Sequence, residues 1–129
     1  MATLLTNAGR AILSGLSSGI TSLLPSHLGV GTGAGTTAAA DTTLFTEATT
    51  GTWSGYARAT ATLSQATTST TNDTWKAIGT LTAPAAEAVT NAGFFDALTV
   101  GNLFLKGDFA VINLALNDSI QVTGTNEFT

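Results

Sequence analysis

Charge is what this chain has least of. Asp, Glu, Lys and Arg make up 9% of its 129 residues, against roughly a quarter in an average globular protein. The cations are only Arg10, Arg58, Lys76 and Lys106, and the formal net charge is −4. With no basic stripe to neutralise phosphates, direct nucleic-acid binding is disfavoured, and so is docking on an anionic membrane. Cysteine is absent, which excludes a disulfide framework and thiolate metal sites. The single histidine, His27, is too few for an imidazole zinc site. No uninterrupted apolar run reaches the 18 or so residues that suggest a membrane helix. Leu4–Leu24 is moderately apolar, but Arg10 lies inside it and polar residues interrupt it. It therefore lacks the layout of a signal peptide, and the expectation is a soluble protein without an export signal.

What the chain has in abundance is threonine, with 26 copies, beside 14 glycines and only two prolines. Apolar residues stand at 43%, so polarity comes from hydroxyls and amides rather than charge. Threonine is β-branched and stiff at χ1, which favours strands. The length suits one domain with a real core.

Along the chain, Leu5, Ala8, Ile12, Leu16 and Ile20 recur at helical spacing. They predict an amphipathic helix over Thr6–Ile20, capped by Thr6 or Asn7, within an N-terminal helical segment of residues 1–24. Pro25 marks its far limit. Residues 25–129 read as the β domain. Ser26–Gly31 predicts a short strand. Thr32–Thr52, rich in Gly, Ala and Thr, reads as a long surface loop with a brief helical turn near Thr42–Glu47. Strand patterns follow at Tyr56–Gln65, Thr74–Thr82, Glu87–Leu98, Leu103–Leu114 and Ser119–Thr125. Ala66–Asp73, Gly101-Asn102 and Asn117-Asp118 separate them as turns, and Gly93 allows a bulge or close approach. In the fourth of these strands Leu103, Leu105, Phe109 and Val111 share one face, with Lys106 and Asp108 on the other. The expected core adds Trp75, Ile78, Leu81, Phe94 or Phe95, Ile120 and Val122. Short strands without crossover helices predict a mainly β fold, an antiparallel β-sandwich or jelly-roll-like barrel with a short N-terminal α-helix.

Motifs for chemistry are weak. Gly15-Leu16-Ser17-Ser18-Gly19 matches G-x-S-x-G, yet it ends a helix instead of forming a strand-to-helix elbow, and no acid-and-His pair follows in the required order. The alternating glycines of GVGTGAG (29–35) lack the spacing or the lysine of a phosphate loop. Asp73, Asp96, Asp108 and Asp118 are scattered, with no calcium-loop spacing. Asn72-Asp73-Thr74 and Asn117-Asp118-Ser119 are formal glycosylation sequons that read better as turns. A catalytic role is not expected, nor is a cofactor, a metal or a small-molecule substrate. Trp53, in the polar stretch TTGTWSGY, is either an interface anchor or a residue folded back onto the core.

The succession LLTNAGRAILSGL, HLGVGTGAGTTAAADTTLFTEA, ARATAT, TNDTWKAIGTLTA, TNAGFFDA, GNLFLKGDF and LNDSIQVTG covers nearly the whole chain. It resembles a group of small virion structural proteins of tailed bacteriophages, the capsid decoration (cement) and tail-fibre or collar-type β-sandwich proteins. The resemblance implies a β-sandwich, oligomeric assembly and no catalysis. The first expectation it supports is a decoration protein, a homotrimer that binds major capsid protein on the outer surface of the head. The alternative is a tail-fibre, collar or adaptor component with a docking or receptor-binding role. Either is made in the bacterial cytoplasm and resides in the virion. Leu5, Arg10, Leu16, Phe45, Trp53 and Tyr56 are the candidate partner-contact residues. Members of the group often end in an alternating apolar strand, whereas this chain ends TGTNEFT, leaving the pairing of its last residues open.

Overall fold

The structure is a computed structural model that describes residues 2–129. Met1, the first residue of the expected 1–24 segment, lies outside them. In chain order the elements are β1 (Ala2–Leu5), α1 (Asn7–Ser17), β2 (His27–Gly31), β3 (Ala59–Thr60), β4 (Thr62–Ala66), β5 (Thr74–Thr82), β6 (Glu87–Phe95), β7 (Leu103–Leu114) and β8 (Ser119–Glu127). A five-stranded sheet in the order β1-β7-β6-β2-β3 packs against a three-stranded sheet, β4-β5-β8, and every pairing is antiparallel. The sheets form a sandwich and do not close, so the barrel alternative is ruled out.

Thr6 caps α1, its Oγ1 accepting from Gly9 N at 2.9 Å. Gly9 sits so close to the Phe104 carbonyl that a Cβ would overlap it, which is how the helix nests on β7. The helix stops at Ser17 rather than Ile20. Gly19 takes φ +71°, and the amides of Gly19 and Ile20 return to the carbonyls of Leu16 and Gly15. This is the left-handed glycine stop that satisfies the last carbonyls of a helix. Before it, Ala2–Leu5 pair with β7 as an edge strand, an element the helical periodicity concealed.

The expected strand over Tyr56–Gln65 is two strands in different sheets. Ala61 marks the crossing, and its amide donates to Ser26 O at 2.7 Å. β5 alternates, with Ala77, Gly79 and Leu81 inward, so Ile78, expected in the core, falls on the outer face instead. β8 pairs with it without a break from Ser119 to Glu127, so nearly all of the C-terminal stretch belongs to the sheet.

β7 departs from simple alternation. Asp108 pairs with Asn91 and Ile112 with Val89, leaving Phe109–Val111 opposite Thr90 alone. That bulge turns Val111 outward, 55% exposed, so it is not core. Lys106, expected on a polar face, is 1% exposed because a loop covers it. Gly93 is a close approach: a Cβ there would meet Leu103 Cδ1 at 2.7 Å and Leu44 Cδ2 at 2.9 Å.

The core between the sheets gathers Leu28, Val30, Val89, Phe94, Phe104 and Leu105, with Ile12 from α1. Trp75 stands edge-on to Phe94 at 5.8 Å between centroids. Each such side chain contributes about 1.5–3 kcal/mol by leaving water.

The Thr32–Thr52 stretch has no helical turn and is not a free surface loop. It lies as a strap over the outer face of the five-stranded sheet. Leu44 and Ala48 are buried, and Glu47 forms an isolated bridge to Gly31.

Candidate functional site

Two of the four cations hold the strap down. Lys106 Nζ lies 2.8 Å from Asp41 Oδ2, donates to Thr43 O at 3.0 Å, and sits 3.2 Å above the Phe45 ring. Arg58 grips Glu47 through Nε and Nη2, both at 2.7 Å. Its Nη1 donates to Ala97 O and Val100 O, and the guanidinium stacks 3.5 Å from the Phe95 centroid. A fork matched to a carboxylate on one side and two carbonyls on the other satisfies most of the guanidinium's donors. Asn91, fully buried, closes the middle: its Oδ1 accepts from Phe45 N and its Nδ2 donates to Phe45 O, each at 3.0 Å. The ammonium of Lys106 and the amide of Ala38 hold the Asp41 carboxyl below its ordinary range. Burial pushes the Tyr56 phenol up to about 12; its oxygen accepts from Val30 N at 3.2 Å.

Pairing these cations internally leaves six carboxylates and, as cations without an acidic partner among the described residues, Arg10 and Lys76. Asp96 is itself buried, so the outer surface is weakly acidic and sparse in charge.

The six candidate contact residues divide. Trp53 is 2% exposed, stacked on Tyr56 at 5.8 Å, with its Nε1 donating to Ala85 O at 3.0 Å. Tyr56 is buried beside it. Both face the chain's own core, which corrects their reading as partner contacts: an indole whose only donor is satisfied internally is a core cap. Phe45 is half-buried under the Lys106 ammonium. Leu5 and Leu16 are half-buried and pack against the core from outside. Arg10 is exposed on α1.

Leu16 leads to a surface that sequence reasoning found only in part. With Leu13, Leu24, Leu63, Trp75 and Phe104 it lines an open groove of about 280 Å³. Beyond α1, Ile20 is 84% exposed, and Leu23 and Leu24 are also exposed. The signal was present as Leu13, Leu16 and Ile20 at helical spacing, followed by Leu23-Leu24. Periodicity marks such a stripe but does not say how much of it the sheet covers. A second hollow, of about 350 Å³, lies between the strap and the 96–101 loop, where Val100 is exposed at φ +57°.

The chemical motifs resolve into structural roles. Ser17 is exposed at the end of α1, and its hydroxyl donates to Ser14 O. Gly29 and Gly31 lie under the strap and Gly33 and Gly35 in its first stretch, and a Cβ at these positions would crowd Glu47, Phe45 or Thr46. Asp73 accepts from the amides of Thr68, Thr70 and Ser69, which hold its carboxyl far below the usual range. Among the described residues, no three His, Cys, Asp or Glu side chains cluster closely enough to hold a metal ion. Among them, too, no helix is long and apolar enough to cross a membrane.

These features define a class: a two-sheet β-sandwich with an internally clamped strap and an apolar groove beside its helix. No known protein family and no curated protein matches the chain.

Proposed function

We propose that this chain is a bacteriophage capsid decoration protein, a homotrimer that binds the outer surface of the head and stabilises the shell by bridging major capsid protein subunits. The observation that carries the reading is the apolar groove beside α1, continued by exposed Ile20, Leu23 and Leu24 on a surface almost without charge. Large exposed apolar side chains gathered in one place mark protein–protein contact. Contacts of this size are weak singly, and avidity across a lattice makes them effective. The work is mechanical, so the reading calls on no cofactor, nucleic acid, membrane or small-molecule substrate. The residue succession, which resembles that of small phage virion proteins, supports the same reading.

The test is to add purified protein to undecorated shells. Binding with a gain in heat resistance is expected, and Leu16→Asp together with Leu24→Asp should abolish both. Failure of the native protein to bind removes the reading. Labelled copies confined to the tail instead of spread over the head would favour the tail-fibre, collar or adaptor alternative.

A further inference from the structure

The sandwich is one strand short on one side. β8 is the edge of the three-stranded sheet, and its only partner is β5. Facing it, the five-stranded sheet continues outward through β7 to β1. Where no strand covers that inner face, a slot of about 120 Å³ opens between the sheets. Its floor is built of small residues, Thr3, Ala92 and Gly107, and its walls of Leu105, Phe109 and Val122. Thr3 is exposed there and Phe109 only half-buried, although both point toward the inside of the sandwich.

The edge itself carries none of the devices that normally block strand addition. β8 runs nine residues in unbroken register, about 30 Å at the usual rise. It contains no Lys, Arg or Pro and no bulge. By contrast, the free part of β7 is bulged at Phe109–Val111.

We propose that β8 accepts an extended strand from a different polypeptide, which completes the smaller sheet as its fourth strand and places alternate side chains in the slot. Main-chain hydrogen bonds to the β8 edge supply affinity, and the slot selects small or medium apolar side chains at every second position. A second copy of this chain is the wrong shape for the edge. Its own five-stranded sheet would overhang in the same way and meet β1 and β7 head-on, whereas a single strand fits over them. Among the described residues both terminal stretches are already engaged: residues 2–5 pair with β7, and Phe128 N donates to Asp73 O. Charge adds to the description. The carboxylate beside this edge is Glu127, while Lys106 and Asp108 are turned to the opposite face, where Lys106 pairs with Asp41 and Asp108 accepts from Thr37 N. The incoming strand is therefore uncharged along its middle and neutral or basic at the end that lies beside Glu127.

The probe is a blocked nine-residue peptide of alternating threonine and valine with lysine at both ends. Amide exchange and chemical shifts of the full chain are followed by NMR. The expected result is slowed exchange in Ser119–Glu127 with shifts at Leu105, Phe109 and Val122, and no such effect from the same peptide N-methylated at alternate residues. Thr3→Lys, a change at an exposed residue, should weaken binding by about tenfold or more by putting a charge in the slot. Gln121→Lys, on the outer face of β8, should leave binding unchanged. Unaltered β8 exchange at peptide concentrations on the order of millimolar, equal binding of the N-methylated peptide, or an inert Thr3→Lys would overturn the proposal. So would sedimentation showing self-association with β8 amides already protected without peptide. The edge would act the same way in any assembly, so this outcome is independent of whether the chain binds phage shells.

Discussion

The two outer faces of the sandwich carry opposite solutions to the same shortage of charge. On the five-stranded sheet the outer face is covered. The strap crosses it, glycines let the backbones approach, and both buried cations lie beneath or beside it, each over an aromatic ring. On the three-stranded sheet the outer face is bare. Thr62, Ser64, Thr80, Thr82, Ser119, Gln121, Thr123 and Thr125 point outward in cross-strand rows, with Lys76, Ile78 and Glu127 breaking the run of hydroxyls. Thr82 and Ser119 hydroxyls meet at 3.3 Å, and Gln121 Nε2 reaches Thr80 Oγ1 at 3.5 Å. Charge is used where burial multiplies its effect, and hydroxyls are used where water already solvates the sheet. The comparison teaches that threonine abundance and charge scarcity have separate causes in separate places. Such cross-strand hydroxyl pairs are worth only about 0.2–1 kcal/mol each, whereas one buried guanidinium with four satisfied contacts organises a segment.

The contrast can be broken most sharply at Arg58. Arg58→Ala strands Glu47 and frees the carbonyls of Ala97 and Val100, so a loss of about 3–5 kcal/mol in denaturant unfolding is expected. A loss under about 1 kcal/mol would mean that packing alone holds the strap. Next comes Gly31→Ala. Its Cβ would run into the Phe45 carbonyl and the Asn91 side chain, at an overpacking cost of about 1–3 kcal/mol. Amide exchange should then rise in residues 32–47 ahead of β5 and β8; uniform destabilisation would place the strap within the global unfolding unit.

Acid should act on the covered face and on the 67–73 turn before it touches the hydroxyl rows. Asp41 and Asp73 have folded values below the ordinary 3.8. The unfolded chain therefore takes up their protons first, and their contribution, complete above pH 3.8, is lost as pH falls below it. Tyr56 works in the other direction. Its value is raised from 10.0 to about 12, so stability present below pH 10 is lost as pH climbs toward 12. Tryptophan fluorescence across both ranges reads the two limbs, and a flat acid limb would count against the assigned hydrogen bonds. The smallest effect belongs to the bare face. Thr123→Val should change stability by no more than about 0.5 kcal/mol, and a larger loss would show that the hydroxyl rows are structural after all.

The strand pattern was legible where one face of a strand meets the core and the other meets water. Thr74–Thr82 and Ser119–Thr125 alternate for that reason, and the Asn72 and Asn117 turns, at φ +61° and +69°, follow from residue types that tolerate the left-handed region. Legibility failed where both faces are covered. Lys106 looked solvent-facing because nothing in its neighbourhood announces that Asp41, 65 residues away, will arrive above it. The strap's Gly, Ala and Thr composition suits a loop in water as well as a segment pressed onto a sheet. Trp53 was ambiguous because its partner, Ala85 O, comes from a distant turn. Of the candidate contact surface, the stripe through Leu16 was visible, but its groove required Leu63, Trp75 and Phe104 from other elements.

By itself the sequence determined the class of the fold, since β-branched residues, turn-forming pairs and period-two alternation act over a few residues and need no distant partner. It also determined that the outer surface would be poor in charge. Tertiary structure alone decided which faces of the sandwich are covered, which cations disappear into it, and that the smaller sheet ends one strand early beside β8. Those outcomes depend on how far one sheet overhangs the other and on contacts between residues tens of positions apart, which no local pattern encodes.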